Sequence, residues 1–290
     1  MKIFKIILIT LLLIAINSCN ENNDEKISSN STCEIAGVSY DNDNLPLVEN
    51  RYTLDLAEKG LSEIPSCFGN LNNLELLSIA ENNLTKLPES IGNLNNLEML
   101  YLYKNQLTIL PESFGDLNNL EALSLSENKL ESLSESFGNL INLKELSLSA
   151  NKLTSLPESI DNMIDLKILS IYNNQLTILP ESLSNLNNLI LLELSENLLI
   201  SLPENFGKLN NLERLYLNHN NLTKLPESLG NLYKLKELNL QSNKLTRIPE
   251  SFKNLNNTLK WLYLTGNPIP EDERAKIESW LPNTNIVWDY

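Results

Sequence analysis

Residues 97–119, LEMLYLYKNQLTILPESFGDLNN, form the unit from which the fold is read. Equivalent segments begin at Arg51, Leu74, Leu97, Leu120, Leu143, Leu166, Leu189, Leu212, Leu235 and Leu259, a step of 23 residues each time with one extra residue before the last. A constant period of this size means stacked units, each completed by its neighbours.

Within the unit the apolar positions are fixed and the residues between them vary, as Leu97, Leu100, Leu102, Leu107, Leu110, Phe114 and Leu117 show. Leu100-Tyr101-Leu102 alternates as a short strand does, leucines inward and tyrosine outward. Three residues later comes Asn105, and every repeat from the second on keeps an asparagine there: Asn82, Asn105, Asn128, Asn151, Asn174, Asn197, Asn220, Asn243 and Asn267. A turning backbone leaves amides in need of partners, and a column of asparagine side chains can both donate to and accept from each coil and its neighbour. The second half of the unit, Leu110-Pro111-Glu112-Ser113-Phe114-Gly115, predicts one helical turn. Pro111 is expected at its first position, Glu112 at its positive end, and Gly115 in the left-handed conformation that closes it.

Strand and helical turn therefore alternate around a coil. These residues resemble the leucine-rich repeat family in its 23-residue form, LxxLxLxxNxLxxLPxxxxxLxx, over roughly residues 51 to 290. The resemblance implies an α/β solenoid, a horseshoe of about ten repeats with a parallel sheet on its concave face.

Length alone suggests two domains, but a solenoid has no single core to outgrow, so one elongated domain is expected. The chain carries 22 Lys and Arg against 37 Asp and Glu, and its net charge of −15 argues against nucleic acid or an anionic membrane surface as the main ligand. Acid on a repeat surface keeps it soluble, and a cationic partner is the alternative reading.

The chain opens with Met1-Lys2-Ile3-Phe4-Lys5 and an apolar run from Ile6 to Ile16 interrupted only by Thr10. A positive start and an apolar segment too short to span a bilayer comfortably make residues 1–18 a signal peptide. Ser18-Cys19 resembles the end of a bacterial lipobox, with Asn17 a loose fit, and implies that Cys19 becomes a lipidated first residue. Several acyl chains anchor a protein stably without spanning the membrane. The expected location is thus exported and membrane-attached, at the outer membrane or cell surface. Residues 19–32, acidic and then rich in Ser and Asn, read as a flexible tether.

Residues 33–50 are expected to cap the first coil. Cys67 stands where later repeats have Ser90, Ser113 and Ser136, and Cys33 lies in the cap, so an exported chain can join them, two free thiols being the alternative. The repeats run over 51–269, with Arg51 and Lys59 marking the first as an end unit. Residues 270–290 form the second cap: Glu271-Asp272-Glu273 begins a helix, Ile277 and Leu281 share one of its faces, and Ile286-Val287-Trp288 adds a last strand.

Catalysis has little to work with. His219 is the one histidine, and no triad, phosphate loop, metal-ligand cluster or cofactor motif accompanies it. The glutamates at fixed phase, Glu89, Glu112, Glu158 and Glu181, read as a solvated structural stripe. Function is expected on the concave face, where residues between the strand leucines point outward. Leu76, Met99, Tyr101 and Tyr103 form one expected patch; Ile168, Tyr172, Ile190 and Leu191 a second; Arg214, Tyr216 and His219 a third. Trp261 and Tyr263 close the same two columns at the C-terminal end. Aromatic residues with Arg and Met are what protein interfaces use as anchors, so the expected partner is a protein, with the membrane met only through the lipid. Two other classes compete for the same residues: a carbohydrate-binding module stacking sugars on Tyr101, Tyr103, Tyr172 and Tyr216, and a purely structural envelope component.

Overall fold

The structure is a computed structural model and describes residues 32–288. It begins with a hairpin of β1 (Cys33–Ile35) and β2 (Val38–Tyr40), which pair antiparallel, and β3 (Leu47–Val48). Then follow β4 (Arg51–Asp55), β5 (Leu76–Ser78), β6 (Met99–Tyr101), β7 (Ala122–Ser124), β8 (Glu145–Ser147) and β9 (Ile168–Ser170). The series continues through β10 (Leu191–Glu193), β11 (Arg214–Tyr216), β12 (Glu237–Asn239) and β13 (Trp261–Tyr263), helix α1 (Glu271–Trp280) and β14 (Asn285–Val287). β3 to β14 form one sheet of 12 strands in sequence order, antiparallel between β3 and β4 and parallel thereafter. Equivalent residues lie side by side: Leu77 pairs with Leu100, and Leu100 with Leu123. The extra residue before the last repeat leaves this register intact, since Leu238 still pairs with Leu262; it falls where the final 3-10 helix, Glu250–Leu255, runs to six residues.

Most of the leucines read as core are buried in one continuous cluster that reaches Ile277 and Leu281 of the C-terminal cap, whereas Leu110 is only partly buried and packs against it. Each coil returns through a short 3-10 helix, such as Glu112–Asp116. Pro111 sits just before that helix with ψ 153°, one place earlier than expected, where extended backbone suits a proline ring and no amide is needed.

Gly115 does not close the turn in the left-handed conformation, and this corrects the sequence reading. A β-carbon at Gly115 would overlap the Ser136 carbonyl of the next coil, as one at Gly138 would overlap that of Ser159. The glycines are there for close approach between coils. The exceptions agree in part. Lys253 occupies the position in the last 3-10 helix, which packs against α1 and has no further 3-10 helix beyond it. Ser184 is followed by a helix shortened to Phe206–Lys208, whereas Asp161 is followed by an ordinary five-residue one.

The left-handed residues fall instead just before each asparagine, at Glu81, Lys104, Glu127, Ala150, Asn173, Glu196, His219 and Ser242. Each costs of order 1 kcal/mol outside glycine, so the surroundings must impose it. They do: Lys104 N donates to Ser126 O at 2.9 Å, and Glu127 N to Ser149 O at 2.8 Å. The asparagines complete the turn as expected. Asn105 is buried; its Oδ1 accepts from Leu84 N at 3.0 Å, while its Nδ2 donates to Ile79 O at 2.9 Å and Leu102 O at 3.1 Å. One side chain thus serves two coils, and Asn82 extends the service to the first coil by accepting from Lys59 N and Leu61 N.

At three steps of the array neighbouring 3-10 helices are stapled by a Glu-Ser pair. Ser159 Oγ donates to Glu135 O at 2.8 Å, and Ser159 N to Glu135 Oε2 at 3.0 Å; Ser113 with Glu89 and Ser251 with Glu227 repeat the arrangement. Of the glutamates read as a solvated stripe, Glu112, Glu158 and Glu181 are exposed, while Glu89 also takes part in a staple that the sequence reading missed. Cys33 and Cys67 are joined as a disulfide with Cα atoms 5.3 Å apart, across a sequence separation of 34. Closing a loop of this size removes chain entropy worth about 4 kcal/mol from the unfolded state, at the end of the array most exposed to fraying.

Candidate functional site

The sheet carries two columns of outward side chains on its strands and a third just beyond them. In register, Leu76 faces Met99, Ile168 faces Leu191, and Leu191 faces Arg214. Three of the expected groupings can now be placed. In the first, Met99, Tyr101 and Tyr103 are half-buried along β6 and its continuation, and the Tyr101 hydroxyl donates to Met99 Sδ at 3.6 Å. Burial pushes both phenols up, with Glu145 adding to the rise at Tyr101 and Glu81 at Tyr103. In the second, Leu191 is buried rather than exposed, hemmed in by Ile168 and Arg214 on the strands beside it; Ile168, Tyr172 and Ile190 stay partly open. In the third, Arg214 and Tyr216 lie on β11, and the Tyr216 hydroxyl donates to Glu237 Oε2 at 3.1 Å. Burial, with the Glu237 carboxylate beside it, pushes that phenol up to about 12. His219 is exposed and off the strand, on the left-handed turn.

Trp261 and Tyr263 come together in a way the sequence pattern did not indicate. Their rings lie 6.1 Å apart and within 12° of parallel, with Trp261 45% exposed. Between these aromatic ends, short serine side chains on and just after β7 to β9 alternate with the longer Glu145, Ile168 and Tyr172. Ser126 Oγ lies 2.6 Å from Ser147 Oγ, and Ser149 Oγ 2.8 Å from Ser170 Oγ. Burial also raises the Glu193 carboxyl on β10, an effect that hydrogen bonds from Ser195 oppose. Cys19 lies outside the described residues.

A feature missed in the sequence runs along the rim where the strands begin. Asn96 Nδ2 donates to Asn72 O at 2.8 Å, Asn119 to Asn95 O at 2.7 Å and Asn142 to Asn118 O at 2.6 Å, a second asparagine ladder, largely exposed. With Glu75, Glu98, Glu121 and Tyr52, these amides line a trough of about 600 Å³. Arg51 reaches Glu98 at 3.1 Å and Lys144 reaches Glu121 at 2.6 Å. The signal was present as three glutamates at one phase followed by Lys144 and Lys167. Among the described residues no group of three or more His, Cys, Asp or Glu side chains could hold a metal ion, and no helix is long and apolar enough to cross a membrane.

A parallel sheet of in-register strands, one 3-10 return per coil and capped ends define a curved solenoid with its strands on the concave face. It is the leucine-rich repeat solenoid. Leucine-rich repeat family models match residues 40–135, 142–163, 165–186 and 210–269, and no catalytic family is indicated. No curated protein matches the chain. Among solved structures it is similar to a leucine-rich repeat protein of Leptospira interrogans, 28% identical over 81% of this chain and 83% of that one, with a TM-score of 0.42. It is also similar to the ectodomain of the Arabidopsis thaliana receptor kinase GASSHO1/SCHENGEN3 in complex with CASPARIAN STRIP INTEGRITY FACTOR 2, 33% identical over 81% of this chain and 29% of that one, TM-score 0.71. The Arabidopsis receptor kinase HAESA, in complex with the peptide hormone IDA and the co-receptor SERK1, is 29% identical over 80% of this chain and 40% of that one, TM-score 0.65. The chain thus spans well under half the length of either plant receptor.

Proposed function

We propose that this is a non-enzymatic, lipid-anchored binding protein of the bacterial cell envelope, which captures a peptide or protein on its concave face. The observation that carries the reading is the use of Met99, Tyr101, Tyr103, Tyr172, Tyr216 and Trp261 at phases where the fold accepts serine or alanine, as Ala122, Ser124, Ser147 and Ser149 show. Packing of the solenoid does not call for large rings there, and ring-rich, half-buried positions are the usual anchors of an interface. The two plant receptors, each solved with a peptide or protein ligand, give the same direction.

Binding is tested by replacing Tyr101, Tyr103, Tyr172 and Tyr216 with Ser. The array should stay folded, while affinity for a partner captured from the envelope falls about thirty-fold or more, as truncation of a desolvated aromatic anchor costs about 2 kcal/mol or more. Equal binding by parent and variant overturns the concave-face reading. Anchoring is tested by Cys19→Ser, which should move the protein from the membrane to the soluble fraction; a variant that still partitions with membrane refutes the lipid anchor.

A further inference from the structure

Beyond each ladder asparagine the chain runs down one flank of the solenoid, as Lys129-Leu130-Glu131-Ser132 does after Asn128. Leu130 is buried, while Lys129, Glu131 and Ser132 are exposed. These stretches stack coil on coil: Lys129 N donates to Leu107 O, Lys152 N to Leu130 O and Leu198 N to Leu176 O, each at 2.9 Å. Equivalent outward side chains therefore form three columns along this flank, at the phases of Lys129, Glu131 and Ser132.

The net charge of −15, which argues against an anionic surface for the chain as a whole, is not spread evenly. In the coils that begin at Leu74 through Leu235 the three columns carry Lys86, Lys129, Lys152, Lys224, Lys244 and Arg247 against one acid, Glu131. All of them are exposed. Lys129 donates to Gln106 and not to a carboxylate, and Lys224 reaches Glu204 only at 3.8 Å, so the positive charge is not cancelled locally. Among the cations stand Ile109, Ile178, Leu198 and Ile200, exposed by 62, 57, 46 and 54%. Ile200 N donates to Thr177 O at 3.3 Å, which sets Ile178, Leu198 and Ile200 together on two adjoining coils. Acid borders the flank on both sides. Glu127 and Glu196 sit on the left-handed turns toward the concave face, and Glu135, Glu181 and Glu227 begin 3-10 helices on the other side.

Basic and apolar side chains interspersed on one face suit an anionic lipid surface, where cations meet the headgroups and isoleucines enter the boundary with the acyl chains. Cys19, read as the lipidated residue, stands thirteen positions before residue 32, the first described. That span reaches about 45 Å at most, less than the length of about 50 Å that the 12 strands occupy. A molecule so tied is held at high effective concentration beside its own bilayer. Charge then decides which side turns to it, because cations on the flank act within a Debye length and the far carboxylates are screened.

We propose, on the basis of the lipid-anchored reading, that this flank docks on the anionic phospholipid headgroups of the bilayer that holds the anchor, with Ile178, Leu198 and Ile200 entering the headgroup layer. The bordering carboxylates oppose tilting to either side. The array lies on its flank, and its concave face opens along the membrane, clear for a ligand.

The lipidated full chain is reconstituted into vesicles of phosphatidylcholine alone, or of phosphatidylcholine and phosphatidylglycerol in equal parts. Lysine acylation by a water-soluble ester, read by mass spectrometry, should slow severalfold at Lys129, Lys152 and Lys244 on the anionic vesicles only. It should recover at about 1 M salt, and Lys167 and Lys234, at the rim where the strands begin, should not change. In a second arm the full chain carrying Cys19→Ser is floated with the same vesicles. Lys129→Gln with Lys152→Gln and Lys244→Gln should lower its binding to the anionic vesicles about 100-fold, at about five-fold per surface cation, and Ile178→Ser with Ile200→Ser should lower it too. The same loss of charge at Lys167, Lys234 and Lys260 should leave binding within about two-fold of the parent. Equal acylation in the two vesicle types, or flotation as sensitive to the second lysine set as to the first, overturns the proposal. Protection by soluble inorganic polyphosphate but not by anionic vesicles also overturns it and assigns the flank to a soluble polyanion. The two readings fail separately: a native chain without acyl groups at Cys19 sinks the anchor and the docking with it, whereas an acylated chain with unprotected flank lysines sinks the docking alone. Washing membranes with salt keeps the Cys19→Ser fractionation independent of the flank, since salt releases headgroup contacts and leaves an acyl anchor in place.

Discussion

Asn151→Ala removes the ladder asparagine at the middle of the array, and the structure sets its cost. Asn151 Oδ1 accepts from Leu130 N at 2.9 Å; Nδ2 donates to Leu125 O at 3.0 Å, to Leu148 O at 3.0 Å and, at 3.4 Å, to Ser149 O. The carbonyls keep other donors, since Asn128 Nδ2 also reaches Leu125 O and Asn174 Nδ2 also reaches Leu148 O, each at 3.0 Å. Leu130 N relies on Asn151 Oδ1. Losing that acceptor in a buried site costs about 1–3 kcal/mol, and the two good carbonyl bonds add about 0.5–1.5 kcal/mol each, so a loss of about 2–6 kcal/mol is expected. Asn142→Ala is the comparison, because it removes only the bond to Asn118 O on an exposed rim and should cost under about 1 kcal/mol. Urea unfolding followed by circular dichroism measures both. Because each coil contacts only its neighbours, Asn151→Ala should also broaden the transition as the two halves of the array begin to melt separately. Equal and small losses for the two variants would refute the claim that one buried side chain serves two coils.

Gly138→Ala should destabilise the protein by about 1–3 kcal/mol, because a methyl group at that position overlaps the Ser159 carbonyl and forces the next coil to shift; thermal melting indistinguishable from the parent would show that glycine is not there for close approach. Glu135→Gln tests the staple through pH: hydrogen bonds from Ser159 hold the Glu135 carboxyl below its ordinary value of 4.5. A carboxyl depressed in the folded state stabilises above its unfolded value and loses that contribution as pH falls through the folded one. The melting temperature of the parent should therefore drop more steeply than that of Glu135→Gln as pH is lowered below about 4.5. Parallel pH profiles would rule the staple out.

The sequence by itself determined the period, the strand and the face each strand leucine takes, because these depend on which residues within one repeat are apolar and how they alternate. It determined the buried asparagine column too, since a polar residue invariant among leucines has to complete backbone amides. Both caps were legible as breaks in the pattern, with Arg51 and Lys59 at one end and the acidic start of α1 at the other. The tertiary structure decided what depends on the distance between coils, which no single repeat encodes. It is why Gly115 is explained by the Ser136 carbonyl of the next coil rather than by its own dihedral angles, and why Glu81 or Lys104 takes a left-handed conformation that composition would have given to glycine. It is also why Leu191 disappears between the side chains on either side of it and why Trp261 stacks on Tyr263. The acidic trough is of the same kind: Glu75, Glu98 and Glu121 are 23 residues apart in the chain and become one wall only when their coils are stacked in register.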